Sequence, residues 1–162
     1  MKFLLIRILY RIKENHPKIW SFIEKTNSLL FSIFFFERFT KLLTKNLKDV
    51  STSRIVYRLI NLNDMVALHE LINNLESPLS LFFKPHNFSK VSLKGIMKNK
   101  AFFKMGVFEG DQMIGYFFIR AGINKKCFIG RLVHKDYRGL GIGRTMNTVM
   151  YSAAWDAGFR IF

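Results

Sequence analysis

Arg138, the glycines Gly139, Gly141 and Gly143 at alternate positions, and Arg144 are the residues of this 162-residue chain whose types and spacing specify a chemistry. The segment Leu132-Val133-His134 ahead of them reads as the end of a strand, and Ile142 onward reads as a helix to about Ala157. Glycine lacks Cβ, so the backbone can turn sharply and approach a ligand closely. The first amides of a helix have no internal partner, and the helix dipole is positive at that end. A glycine-dense strand-to-helix turn is therefore a cradle for phosphate oxygens, and Arg138 and Arg144 flank it with cationic donors.

Two familiar phosphate loops do not fit. A dinucleotide fingerprint needs G-x-G-x-x-G, but here the third glycine arrives one residue early, and no suitable acid follows about 20 positions on. A Walker loop needs G-x-x-x-x-G-K-[ST]; Gly143-Arg144-Thr145 has arginine for the lysine, and Arg138 stands at the leading position.

Other chemistry is thin. The strand read over Cys127–His134 carries no carboxylate, which leaves His134 as the weak candidate for a general base beside the loop. Tyr116 and Tyr137 read as packing or loop-anchoring side chains, and His16, His69 and His86 have no metal spacing. The single cysteine, Cys127, excludes an internal disulfide framework and a cysteine-built zinc site, and it reads as a buried strand residue. No metal is expected. Lys84, Lys90, Lys94, Lys98, Lys100 and Lys104 read as a solvated face, with a phosphate or acidic acceptor as the alternative.

The elements that must position the loop follow from periodicity. Arg54–Ile60 alternates as a strand, Asn61–Asp64 supplies capping chemistry, and Met65, Leu68, Leu71, Ile72 and Leu75 recur at helical spacing until Ser77-Pro78 stops them. Ser89 opens a further helix to about Lys98. Phe102–Glu109 and Gln112–Ala121, separated by Gly110-Asp111, read as a hairpin, and Cys127–His134 as a third antiparallel strand. After the loop and its helix, Gly158 serves as a C-cap and Phe159–Phe162 begins a strand that should lie parallel to its predecessor. The order is β-α-α-β-β-β-α-β, an α/β (α+β) mixed sheet, and nothing in sequence remains to cover the last strand.

Val133-His134, Asp136-Tyr137-Arg138-Gly139 and Gly141-Ile142-Gly143 together resemble the GNAT family of N-acetyltransferases, in the acyl-CoA N-acyltransferase superfamily, and Gly115-Tyr116 adds to the likeness. The match covers about residues 54–162. The resemblance implies acetyl-CoA as co-substrate, with the backbone of Leu132 and Val133 along the pantetheine arm. Arg138, Gly139, Leu140, Gly141, Ile142, Gly143 and Arg144 would lie around the pyrophosphate. It implies direct transfer of an acetyl group to a primary amine of a small acceptor, such as an amino sugar. The family fold continues with the rest of the fifth strand, a helix and a hairpin. None of these has a counterpart before Phe162, so the chain reads as cut short after the loop helix. A catalytically silent relative that binds CoA or serves as an interaction module is the competing reading, and a peripheral membrane-binding protein is a third.

Residues 1–50 read as a separate basic, aromatic-rich segment joined to the GNAT-like domain, residues 51–162, through Val50–Ser53. They carry +6 of the net charge of +15 and nine of the 25 aromatic residues. Three helical pieces are predicted: residues 2–14, a short helix opened by Pro17 with Asn15 or His16 as cap, and Ser28–Lys48 with Glu37, Lys41, Thr44 and Lys48 on one side. Their apolar surface needs a cover. The downstream domain, a second copy of the chain as homodimer, and a membrane interface all qualify. Nucleic acid is not expected, because bulky aliphatics dilute the cations. Arg7 interrupts the first apolar run, and no uncharged stretch exceeds the eleven residues between Lys25 and Glu37, against roughly 20 for a bilayer span. A cytoplasmic location is expected, with peripheral contact at the inner membrane face as its extension.

Overall fold

The computed structural model describes residues 15–73 and 97–161. The helices anticipated over residues 2–14 and 89–98, the stop at Ser77-Pro78 and the lysines Lys84, Lys90 and Lys94 lie wholly or mainly outside them.

Helix α1 spans Pro17–Phe34 and helix α2 Phe36–Val50. The sequence reading starts a new helix at Ser28, but α1 runs through that point. Asn27 and Ser28, poor helix formers that compete for backbone hydrogen bonds, spend their side chains on tertiary partners. Asn27 Nδ2 donates to Ala121 O and its Oδ1 accepts from Ile123 N, at 3.1 and 3.0 Å, while Ser28 Oγ accepts from Lys100 N at 2.9 Å. The real interruption is Phe35, and neither it nor His16 supplies a side-chain cap. In α2 the face carrying Phe39, Leu43 and Leu47 is buried, and Glu37, Lys41, Thr44 and Lys48 are exposed, as their spacing predicts.

Strand β1 (Ile55–Leu59) follows, then a turn in which Asn61 and Asp64 form a capping box, and helix α3 (Met65–Asn73). Strands β2 (Phe102–Glu109), β3 (Gln112–Ala121) and β4 (Lys126–Val133) form the antiparallel meander with the Gly110-Asp111 hairpin in place. Helix α4 (Ile142–Asp156) crosses over to β5 (Arg160–Ile161), which pairs parallel with β4. Sheet order is β1-β2-β3-β4-β5, with β1 antiparallel to β2.

The sheet carries a core on each face. One joins Phe31, Phe39, Leu43 and Leu47 of the N-terminal helices to Met105, Val107, Phe117 and Ile119 of the strands and Met146, Val149 and Met150 of α4. The other gathers Leu68 and Leu71 of α3 with Phe102, Phe108, Tyr116, Phe118 and Leu132.

The fifth strand corrects the sequence reading. One side of it has a cover: Phe159, just ahead of it, is buried against Phe35 and Phe39 with ring centroids 5.3 Å apart at near-perpendicular angles, and against Phe31 at 5.9 Å, while Ile161 is half-buried and Arg160 exposed. Arg38 Nη2 ties α2 to Asp156 O at 3.0 Å. A cover supplied by residues more than a hundred positions earlier leaves no local trace in sequence.

Candidate functional site

Strand β4 leads into a short turn, Lys135–Tyr137, before the glycines. His134 Nδ1 accepts the Asp136 amide at 3.4 Å and so caps that turn. Gly139 and Gly141 then adopt φ of +80° and +81°, in the left-handed region that costs a side chain. A Cβ added at either would meet no atom within 4 Å, so the glycine requirement there is conformational and the space beside the backbone is open. Gly141 is the N-cap of α4 and offers no side-chain cap. Arg144 and Thr145 amides both donate to Gly141 O at 3.0 Å, and none of the amides of residues 139–143 donates to another described residue. Ile142 is buried in the core, which pins the turn from beneath. The result is a fixed loop presenting unused amides at the positive end of a 15-residue helix.

The register of β4 decides which backbone groups reach its outer edge. His134 N donates to Ile114 O at 2.8 Å, so the even-numbered residues Gly130, Leu132 and His134 turn their polar groups toward β3. The odd-numbered residues turn theirs outward. Arg160 N uses Lys125 O at 2.9 Å, and Arg138 Nε reaches Val133 O at 3.5 Å. Because β5 pairs only at Lys126 and Cys127, the N–H and C=O groups of Ile129, Arg131 and Val133 face an edge that no described strand occupies. Of the two strand residues singled out by sequence, Val133 thus offers its backbone, whereas Leu132 spends its backbone on Tyr116 and buries its side chain.

Arg131 was not legible as a site residue. Its guanidinium donates to Asn147 Oδ1 on α4, and a Cβ on Gly143 would stand 3.3 Å from its Nε. Gly143 therefore lets the first turn of α4 close on β4 and brings Arg131 beside the loop, joining Arg138 and Arg144. Gly115 has a similar role, since a Cβ there would meet Met146 Cε at 2.3 Å.

A second tie holds the loop. Tyr137 Oη donates to Glu109 Oε2 at 2.5 Å, and Arg54 Nε pairs with Glu109 Oε1. The Tyr137 hydroxyl first, and then the Arg54 guanidinium, hold the Glu109 carboxyl below its ordinary value, while the same carboxylate pushes the Tyr137 phenol up. Glu109→Gln should loosen the turn without touching the amides. The expected result is amide hydrogen exchange about threefold to tenfold faster across the Lys135–Tyr137 turn, read by NMR of parent and variant.

Other candidates take ordinary places. Cys127 is fully buried and its thiol is pushed up to about 12 by burial. Tyr116 is buried, and burial raises its phenol as well. No cluster of three metal-ligating side chains occurs among the described residues.

Lys104 departs from the solvated face assigned to it. It is 7% exposed in an eight-residue strand buried along almost its whole length, because β2 is central and covered on both sides. Its ammonium lies 5.3 Å from the Phe102 ring, and burial, with the nearby Lys100 charge, lowers it to about 8. Between that value and the ordinary 10.5 the unfolded chain holds a proton that the folded chain has lost, so stability from this group rises with pH across that window. Lys104→Met should accordingly remove that rise: the parent gains stability between about pH 8 and pH 10.5 and the variant does not, as followed by urea unfolding at several pH values.

No model of a known protein family matches the chain, and no curated protein matches it. Solved structures do. RimL, a ribosomal L7/L12 alpha-N-protein acetyltransferase, superposes with a TM-score of 0.56 at 18% identity, over 68% of this chain and 67% of its own. A GNAT-family acetyltransferase from Staphylococcus aureus Mu50 gives 0.55 at 17% identity, over 66% of this chain and 70% of its own. An aminoglycoside acetyltransferase from an uncultured soil metagenomic sample, solved with trehalose, gives 0.51 at 16% identity, over 67% and 75%. Sheet order, the glycine turn at α4 and these superpositions lead to one conclusion: this chain has the fold of the GNAT acetyltransferases.

Proposed function

We propose that the chain binds acetyl-CoA against the outer edge of β4 and the Arg138–Arg144 loop, and transfers the acetyl group to a primary amine of a small acceptor. Two observations carry this reading together: the amides of residues 139–143 donate to no described residue, and the backbone groups of Ile129, Arg131 and Val133 face an edge of β4 that no described strand occupies. Amides fixed at a helix start suit a diphosphate, and a vacant strand edge suits the amide groups of an extended arm.

When bound, acetyl-CoA supplies an activated thioester. The loop amides would hold its diphosphate, with Arg138, Arg144 and Arg131 neutralising the charge. Ile129, Arg131 and Val133 would pair with the pantetheine arm, and an outward N–H among them would donate to the acyl carbonyl. The attacking amine must be neutral. His134 Nδ1 already accepts the Asp136 amide, so neutral His134 carries its proton on Nε2 and is arranged as a cap. With that nitrogen engaged, water would take the amine proton as the C–S bond breaks, and the CoA thiolate that leaves would take up a proton from water.

The same arrangement favours a second reading, a coenzyme-binding module without turnover, because no carboxylate lies on β4. One experiment separates the two. Acetyl-CoA is titrated calorimetrically into the full chain, and free thiol is then followed across a panel of amines. Binding with thiol release supports transfer, binding alone supports the module, and no binding removes both.

A further inference from the structure

Helix α1 is amphipathic in the reverse sense. The side turned to the domain carries Trp20, Glu24, Asn27, Ser28 and Phe31, and polar bonds secure it: Trp20 Nε1 donates to Glu24 Oε1 at 2.6 Å, Glu24 pairs with Arg120, and Asn27 clasps the β3–β4 turn. The opposite side is largely apolar and turned to solvent: Phe22 is 70% exposed, Leu29, seven residues on, 63%, and Ile33, four further, 66%, with Ile19 three residues before Phe22, exposed Thr26 between, and Phe34 at the flank, 68% exposed. Exposed Lys18 and Lys25, seven residues apart, border this stripe. A monomer in water gains nothing by presenting it.

We infer that this face of α1 lies on an anionic lipid surface, with the helix parallel to the membrane plane. Charge selects the occupant. Two copies of a +15 chain meeting face to face would set like charges together, whereas an anionic interface accepts both the apolar stripe and the lysines beside it. Orientation follows from the same facts: no described helix is long and apolar enough to cross a membrane, and the inner side of α1 is already committed to the domain. The sequence ahead of α1 repeats the chemistry, with Lys2, Arg7, Arg11 and Lys13 among Phe, Leu and Ile. This docking is independent of acetyl transfer.

The test is sedimentation of the full chain with vesicles of phosphatidylcholine alone and with about a third phosphatidylglycerol. Binding to the anionic vesicles should fall with added salt. The double variant Phe22→Asp/Ile33→Asp should keep the circular dichroism and melting temperature of the parent and bind at least about tenfold more weakly. Lys18→Glu/Lys25→Glu should lose the preference for the anionic vesicles. The inference is overturned if the parent does not bind, or if the aspartate variant binds equally well. It is also overturned if that variant melts early or converts a dimer to monomer, since the face would then be covered by protein.

Discussion

Gly141→Val is expected to abolish acetyl-CoA binding, by at least about a hundredfold, while the domain stays folded. Gly141 has φ of +81°, where a β-branched side chain is strained by roughly 1–3 kcal/mol, so the turn must shift. Shifting it moves the amides that follow, and each charge-assisted bond to a phosphate contributes about 1.5–3 kcal/mol, so losing one or two accounts for the factor. The fold should survive because Gly141 is exposed and the helix is anchored by Ile142, Met146 and Met150, all buried. Calorimetry gives the affinity, and a retained cooperative melt shows that the loss is local. Affinity equal to the parent's would mean that the loop does not hold the diphosphate.

Phe31→Ala should cost the protein about 3–5 kcal/mol, and so lower its melting temperature by roughly 6–20 °C. Phe31 is fully buried where α1, α2, β2 and the start of β5 converge, with its ring 5.8–5.9 Å from those of Phe35, Phe39, Phe103 and Phe159. Removing it opens a cavity that four flat rings cannot close, since Phe39 is already stacked on Phe103 at 4.7 Å. Thermal melts of parent and variant measure the effect. A loss below about 1 kcal/mol would show that the N-terminal helices rest on the sheet without sharing its core.

What could be read in the sequence follows from locality. β2 and β3 match their anticipated limits because Gly110-Asp111 separates two β-rich runs, and the glycine turn at α4 is similarly a short-range signal. The exposed side of α2 was legible from period alone. What could not be read depends on distant partners. Asn27 and Ser28 resemble a helix break until the β3–β4 turn and Lys100 occupy their side chains. Lys104 resembles its surface neighbours until strands flank it on both sides. Arg131 lies beside the loop because α4 packs on β4 and Asn147 takes its guanidinium, and Phe159 is covered by helices at the other end of the chain. The place of the glycine turn between β4 and α4 was legible, but which edge residues of β4 lie open beside it required the strand register.

The most direct measurement is the change in backbone amide resonances of the ¹⁵N-labelled chain as acetyl-CoA is added. The account predicts large shifts at Gly139, Gly141, Ile142 and Gly143 and at the outward amides of Ile129, Arg131 and Val133, with Leu132, bonded to β3, moving least along that strand. Saturable shifts confined to other elements, or none at all, would contradict it.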